Sequence, residues 1–120
     1  MNKLSLLTKQ LKVCKNRGLA RVWIESMLLA KYGFKRYDCA YVSYNSTGIV
    51  ISKKPIDGNE IDCISANNPI KIAGRSRNNR DIPIIDLNNK SVDQLLSNCK
   101  TYVIDYLPNQ KIIITKGDRL

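Results

Sequence analysis

The sequence has no histidine, one tryptophan and one phenylalanine. Without an imidazole, the commonest general base at neutral pH is missing, along with the Ser-His and Cys-His pairs that activate nucleophiles. Cys14, Cys39, Cys63 and Cys99 stand 25, 24 and 36 residues apart, so no close pair offers the spacing of a zinc knuckle. No glycine-rich phosphate cradle is present, since Ile72-Ala73-Gly74-Arg75 does not fit one. These absences point to a non-enzyme with no metal, no cofactor and no catalytic residue. No apolar run approaches the roughly 20 residues of a membrane span. Met1 to Val13 alternates leucine with lysine and lacks the apolar block and cleavage site of a signal peptide. A cytoplasmic location is therefore expected, with the cysteines kept as thiols.

Acid is also missing, but only locally. From Met1 to Arg21 there are six basic residues and no carboxylate; from Lys71 to Arg80 there are four more, again with none. The remaining 89 residues carry ten bases against ten acids, so the whole net charge of +10 sits in these two stretches. Concentrated cation of this kind suggests contact with a polyanion, whereas charge spread evenly would suggest only solubility.

What is present is enough apolar residue, 43%, for one packed domain of 120 residues, which argues against global disorder. Leu4, Leu7 and Leu11 fall near one helical face, ending at Asn16-Arg17-Gly18. Ala20 to Glu25 reads as a strand, Met27 to Tyr32 as a short helix closed by Gly33, and Ala40–Tyr44 with Ile49–Ile51 as a hairpin around Asn45 to Gly48. A connector from Lys53 to Arg80 follows, with room for one short strand at Pro69 to Ala73. The earlier series then returns. Ile82 to Asp86 is a strand, Ser91 to Leu96 a helix with Ser91 as N-cap, and Thr101–Asp105 with Ile112–Lys116 a second hairpin.

A shift of 61 places Ile24 on Ile85, Glu25 on Asp86, Tyr41 on Tyr102 and Val42 on Val103, with two extra residues in the second turn. The pattern predicts an internal duplication. Residues 1–20 form a basic N-terminal arm or helix, 21–54 the first repeat, 55–80 a basic linker and 81–117 the second repeat, with 21–117 one compact domain. The fold class expected is mainly β (α+β): two strand-helix-hairpin repeats packed as an intramolecular pseudo-dimeric barrel with short edge helices.

Arg21-Val22-Trp23-Ile24-Glu25, Leu28-Leu29, Gly33-Phe34, Tyr41-Val42 and Gly48-Ile49-Val50-Ile51 together resemble the AbrB/MraZ/SymE group of swapped-hairpin DNA-binding barrels. Most of that group pair two chains; MraZ-like members carry both repeats in one. The stretch from Gly74-Arg75-Ser76-Arg77 into Ile82-Pro83-Ile84-Ile85-Asp86 is also similar to N-terminal segments of some phage-type cytosine methyltransferases. The resemblance implies DNA binding, without assigning the family's basic residues to single positions here.

The leading candidate site is Arg75, Arg77 and Arg80 with Lys71, because planar guanidinium forks donate in pairs to phosphate. Lys9, Lys12, Lys15 and Arg17 form a second patch, with Arg21, Lys35 and Arg36 flanking the first strand and helix. A basic helix lying on an anionic membrane is disfavoured by the few leucines and the lack of bulky aromatics. Among the aromatics, Trp23, Phe34, Tyr41 and Tyr102 suit packing, while Tyr37 and Tyr44 suit stacking on bases. Glu25 and Asp86 invite an acid-pair reading, but their repeat equivalence favours a structural job, such as pairing with Arg21 or Arg80 or capping the following helix. The expected function is nucleic-acid binding, with duplex DNA favoured through phosphate contacts in a regulatory or phage-associated role. Alternatives are a phage or mobile-element inhibitor docking on a host nucleic-acid-handling complex (anti-CRISPR or anti-restriction type), or a SymE-like RNA-binding protein. The chain is expected to be a monomer with an internal pseudo-dimer, or a homodimer, with no membrane partner.

Overall fold

The computed structural model describes residues 5–57 and 63–120. Leu4 and connector residues 58–62, both part of the sequence reading, lie outside the described residues. Three strands, β1 (Leu7–Lys12), β2 (Cys14–Asn16) and β3 (Leu19–Glu25), lead into helix α1 (Met27–Lys31) and the strands β4 (Cys39–Asn45) and β5 (Gly48–Ser52). The same series then recurs as β6 (Cys63–Lys71), β7 (Ala73–Arg77), β8 (Arg80–Leu87), α2 (Lys90–Leu96), β9 (Thr101–Leu107) and β10 (Lys111–Lys116). The fold is mainly β, as the sequence predicts.

Hydrogen bonding sorts the strands into a six-stranded sheet, β1-β9-β10-β5-β4-β6, and a four-stranded sheet, β2-β3-β8-β7, antiparallel throughout. Exchanging the first-half strands with their second-half counterparts leaves both orders unchanged. The halves meet at two crossings. Ile24 lies opposite Ile85 in the small sheet, and Val50 opposite Ile113 in the large one. Each half also lends an edge strand to the other, β1 pairing with β9 and β6 with β4. Neither half completes its own hydrogen bonding, which is the usual condition of strands too few to bury both faces.

Alternation explains the core. Ala20, Val22 and Ile24 of β3, Tyr102, Ile104 and Tyr106 of β9, and Ile112 and Ile114 of β10 point inward and are buried, while the residues between them are half-exposed. The helices have five and seven residues, too short to persist alone, and are held by packing of Leu29 and of Val92, Leu95 and Leu96. The Ser26 hydroxyl accepts from the Leu28 amide at 3.1 Å, and the Asn89 side-chain oxygen accepts from the Val92 amide at 3.0 Å. The second cap is thus Asn89. The expected cap, Ser91, lies inside the helix.

The expected N-terminal arm or helix is instead two strands. Leu7, Lys9 and Leu11 alternate with Thr8, Gln10 and Lys12, a period of two that the leucine spacing disguised as a helical stripe. The expected linker holds β6 and β7, longer than the single short strand read at Pro69 to Ala73. Both are edge strands, β6 with two Asn, a Ser and a Pro among its nine residues and β7 made of Ala, Gly, Ser and Arg, and so lack the apolar alternation that marks a strand with a covered face. Tyr41 and Tyr102, aligned by the shift of 61, sit on opposite faces: Tyr102 is buried and Tyr41 half-exposed. In that hairpin the inward faces coincide when Ala40 is set on Tyr102 and Val42 on Ile104, one residue further along.

Several turns use left-handed backbone. Arg17-Gly18 (φ 55° and 79°) joins β2 to β3, and Asn78-Asn79 (φ 53° and 62°) joins β7 to β8. Two consecutive positive φ values give the tight reversal that matches strand twist, at a conformation Gly and Asn tolerate. Arg17, Tyr37 and Gln110 are bulkier residues in this region, and Tyr37, at φ 75°, is pinned by its amide to the Ile72 carbonyl at 2.9 Å. The left-handed form costs an L-residue roughly 1–2 kcal/mol that glycine does not incur. Tyr37→Gly is therefore expected to be about 1 kcal/mol more stable than Tyr37→Ala, since both remove the ring and only glycine removes the strain. Thermal melts of the two variants check this; coincident midpoints would mean that the position is unstrained.

Candidate nucleic-acid interface

Val13 alone separates β1 from β2, and Ile72 alone separates β6 from β7. At each of these corners the chain leaves the edge of the large sheet and becomes the edge of the small one. The edges of both sheets are therefore two continuous runs, residues 5–18 and 63–80 without the masked residues. Each run carries four cations and no acid. The first holds Lys9, Lys12, Lys15 and Arg17, the second Lys71, Arg75, Arg77 and Arg80. Lys12 and Lys71 occupy matching places, each the last residue of its strand before the corner. The acid-free segments of the sequence are thus the sheet edges.

The structure separates the eleven candidates by their partners. The Arg21 guanidinium donates to both oxygens of Asp86, at 2.7 and 2.8 Å, and lies 4.5 Å from the Trp23 ring centre. Its pKa is raised chiefly by the hydrogen bond to that carboxylate. Arg75 pairs with Glu25 at 3.0 Å, and Arg36 with Asp81 at 3.1 Å while lying over Tyr37. Lys9, Lys12, Lys15, Arg17, Lys35, Lys71, Arg77 and Arg80 make no ion pair among the described residues, and all eight are exposed. Glu25 and Asp86 do take the structural role that their equivalence implied, although the partner of Glu25 is Arg75 and not Arg80.

Lys9, Lys12 and Lys15 do not share a face as a helix would have arranged. Lys9 lines a groove with Leu11, Leu28 and Glu25, while Lys12 projects from the opposite side of β1. Lys35 and Arg36 lie in the loop after α1, beside the second edge. That loop is fixed by Lys53, whose ammonium donates to Asp38 at 2.8 Å and to the Gly33 carbonyl at 3.1 Å. The same hydrogen bond is the main cause of the lowered pKa of the Asp38 carboxyl.

Sequence reasoning missed one element of the second edge. Arg77, Asn78 and Arg80 border a cleft of about 390 Å³ whose remaining walls are Met27 and Ile82. The Asn78-Asn79 pair was the available signal, since two such residues before a β-branched run mark a hairpin tip. Of the two aromatics singled out for stacking, Tyr37 is 65% exposed and Tyr44 is buried. The Tyr44 hydroxyl accepts from the Asn89 amide group at 2.9 Å, and burial raises its pKa, so Tyr44 is not a stacking surface. It points inward because β4 alternates with Ala40, Val42 and Tyr44 on the core face. All four cysteines are free, and no cluster of three or more metal-binding side chains occurs among the described residues. Nor is any described helix long and apolar enough to cross a membrane. Comparison of the chain with protein families, with curated proteins and with solved structures gave no match in any of the three.

Proposed function

We propose that this is a small non-enzymatic protein that binds duplex DNA through phosphate contacts from its two cationic edges, in the cytoplasm and in a regulatory or phage-associated role. The observation that carries this reading is the placement of charge: of eight cations on the two edge runs, only Arg75 has a carboxylate partner among the described residues. Cationic edges also discourage sheet-to-sheet association, which is the competing explanation. That explanation does not reach the turns. Arg17, Arg77 and Arg80 lie at or beside the hairpin tips, where little edge hydrogen bonding needs guarding, and two of them border the cleft.

The halves are read as two copies of one unit packed around a pseudo-two-fold axis through the Ile24–Ile85 and Val50–Ile113 crossings. Support comes from the unchanged strand orders and the matched left-handed turns. The exchange of edge strands supports kinship with swapped-hairpin barrels, as do the one-residue corners at Val13 and Ile72, where the chain passes from one sheet to the other.

The test is an anisotropy titration of the whole protein against a duplex, a single strand and an RNA of equal length, repeated across salt. Duplex binding is expected to be tightest. With seven unpaired edge cations, the slope of log K against log salt should approach about −6, at roughly −0.9 per phosphate neutralised. Arg77→Gln with Arg80→Gln should shallow that slope by about 2 and leave the melting temperature unchanged. Salt-independent binding, or a double variant that binds like the parent, rules the reading out. Weak binding to every nucleic acid, with a tight protein partner in its place, would favour docking on a nucleoprotein complex.

A further inference from the structure

Among the described residues Tyr37 is the only aromatic side chain that is largely exposed, at 65%, so the core gains little from its ring. Its backbone is strained as well. The Asp38 amide closes a turn on the Lys35 carbonyl at 3.1 Å, and Tyr37 takes the third position of that turn at φ 75°, where glycine or asparagine is the usual occupant. Strain of this kind persists only where the surroundings impose it, and it collects at functional sites. Here the Tyr37 amide donates to the Ile72 carbonyl and the Ile72 amide to the Asp38 carbonyl, both at 2.9 Å. The turn is thereby fastened to the corner of the second edge run.

The ring is held too. The Arg36 guanidinium lies 4.8 Å from its centre and donates to Asp81 at 3.1 Å. The Arg36 stem runs over Gly74, where an added Cβ would come within 2.7 Å of its Cγ and Cδ. Asp38 and Asp81 are engaged by Lys53 and Arg36, whereas Lys35 and Lys71 are exposed and make no ion pair among the described residues. Lys71 lies opposite Cys39 in the β4–β6 ladder, and Cys39 is two residues from Tyr37. An ordered, solvent-facing ring beside free cations is the arrangement on which a nucleobase stacks while its phosphates are held. An intact duplex keeps its base faces covered by their neighbours. Resting on the duplex reading above, we infer that Tyr37 stacks on one unpaired base, so that the preferred ligand is a duplex with an unpaired base in one strand. Lys35 and Lys71 contact the phosphates beside that base, and Arg36 keeps the ring in position.

Two duplexes are titrated against the whole protein, identical except that one carries a single unpaired 2-aminopurine in mid-strand. The parent should bind that one about fivefold or more tighter, the effect of one stacked base, and should quench its fluorescence. Tyr37→Gly, which suits the backbone, should lose both the preference and the quenching while binding the perfect duplex within about twofold of the parent. Tyr37→Phe keeps the ring and should retain both. A preference that survives in Tyr37→Gly, or a parent that binds the two duplexes alike without quenching, overturns the stacking site and leaves the duplex reading standing. No salt-dependent binding to either duplex overturns both.

Discussion

Raising the pH from 9 to 12 is expected to unfold the protein, and the cause is two tyrosines. Tyr102 and Tyr106 are each 1% exposed, and burial pushes both hydroxyls from the ordinary 10 up to about 12. The Tyr102 hydroxyl donates to the Trp23 carbonyl at 3.2 Å and accepts from the Trp23 amide at 3.3 Å, tying β9 to β3 across the core. Tyr106 stacks on Tyr32 with ring centres 4.9 Å apart. Below pH 10 the folded and unfolded chains hold the same phenolic protons, so stability is unaffected. Above 10 the unfolded chain ionises and the folded one does not, so stability falls until the folded hydroxyls also titrate. At about 1.4 kcal/mol per pKa unit, each tyrosine withdraws about 2–3 kcal/mol, a large part of the stability of an ordinary domain. Tyr44, raised in the same direction, adds to the loss. Urea denaturation at pH 9, 10.5 and 12, with tyrosinate absorbance as a second signal, measures it. Tyr106→Phe should remove a substantial share, below half, of the alkaline loss; a parent equally stable at all three values refutes the mechanism.

Phe34→Ala should cost about 3–5 kcal/mol, the range for deleting a fully buried aromatic. Phe34 is 0% exposed, and its amide donates to the Leu29 carbonyl at 2.7 Å just after Gly33 turns left-handed at φ 99°. The ring therefore sits where α1 ends and fastens that helix to the core. Phe34→Leu keeps most of the volume and should cost under about 1.5 kcal/mol. Midpoints of urea unfolding separate the two variants. An alanine variant as stable as the leucine one would mean that the site collapses without a cavity.

Elements with one apolar face were legible in the sequence. Ala20 to Glu25 and the second hairpin alternate in burial as their residues alternate in type, whereas the caps Ser26 and Asn89 were not read. The unread elements are all edges. Leu7 and Leu11 fit a helix and a strand equally well, and only the pairing with Tyr106 and Tyr102 decides between them. Asn67 and Asn68 carry no strand signal because β6 has a partner on one side only; the Asn68 side-chain amide donates to the Val42 carbonyl, in place of a regular ladder. The candidate site was legible as charge and illegible as geometry. Acid-free runs stand out in any sequence. Pairing of an acid with Arg21 is anticipated from the sequence, but that Arg75 and Arg36 would be engaged by Glu25 and Asp81 depends on tertiary placement, which no local pattern contains.

The loan of β1 to β9 also governs how the protein comes into being. Leu7 waits for Tyr106, and Lys12 for Thr101, so the first strand finds its ladder only after nearly all of the chain has left the ribosome. Val22 and Ile24 wait similarly for Leu87 and Ile85. Closing such distant pairs before any contact rewards them is slow, placing folding in the range of about milliseconds to seconds typical of β domains with non-local pairing. Throughout that interval Lys9 and Lys12 travel on unpaired β1, with Lys15 and Arg17 close behind on the β2–β3 hairpin, in a stretch without a single carboxylate. Their mutual repulsion holds nascent chains apart until the second half arrives to take them in.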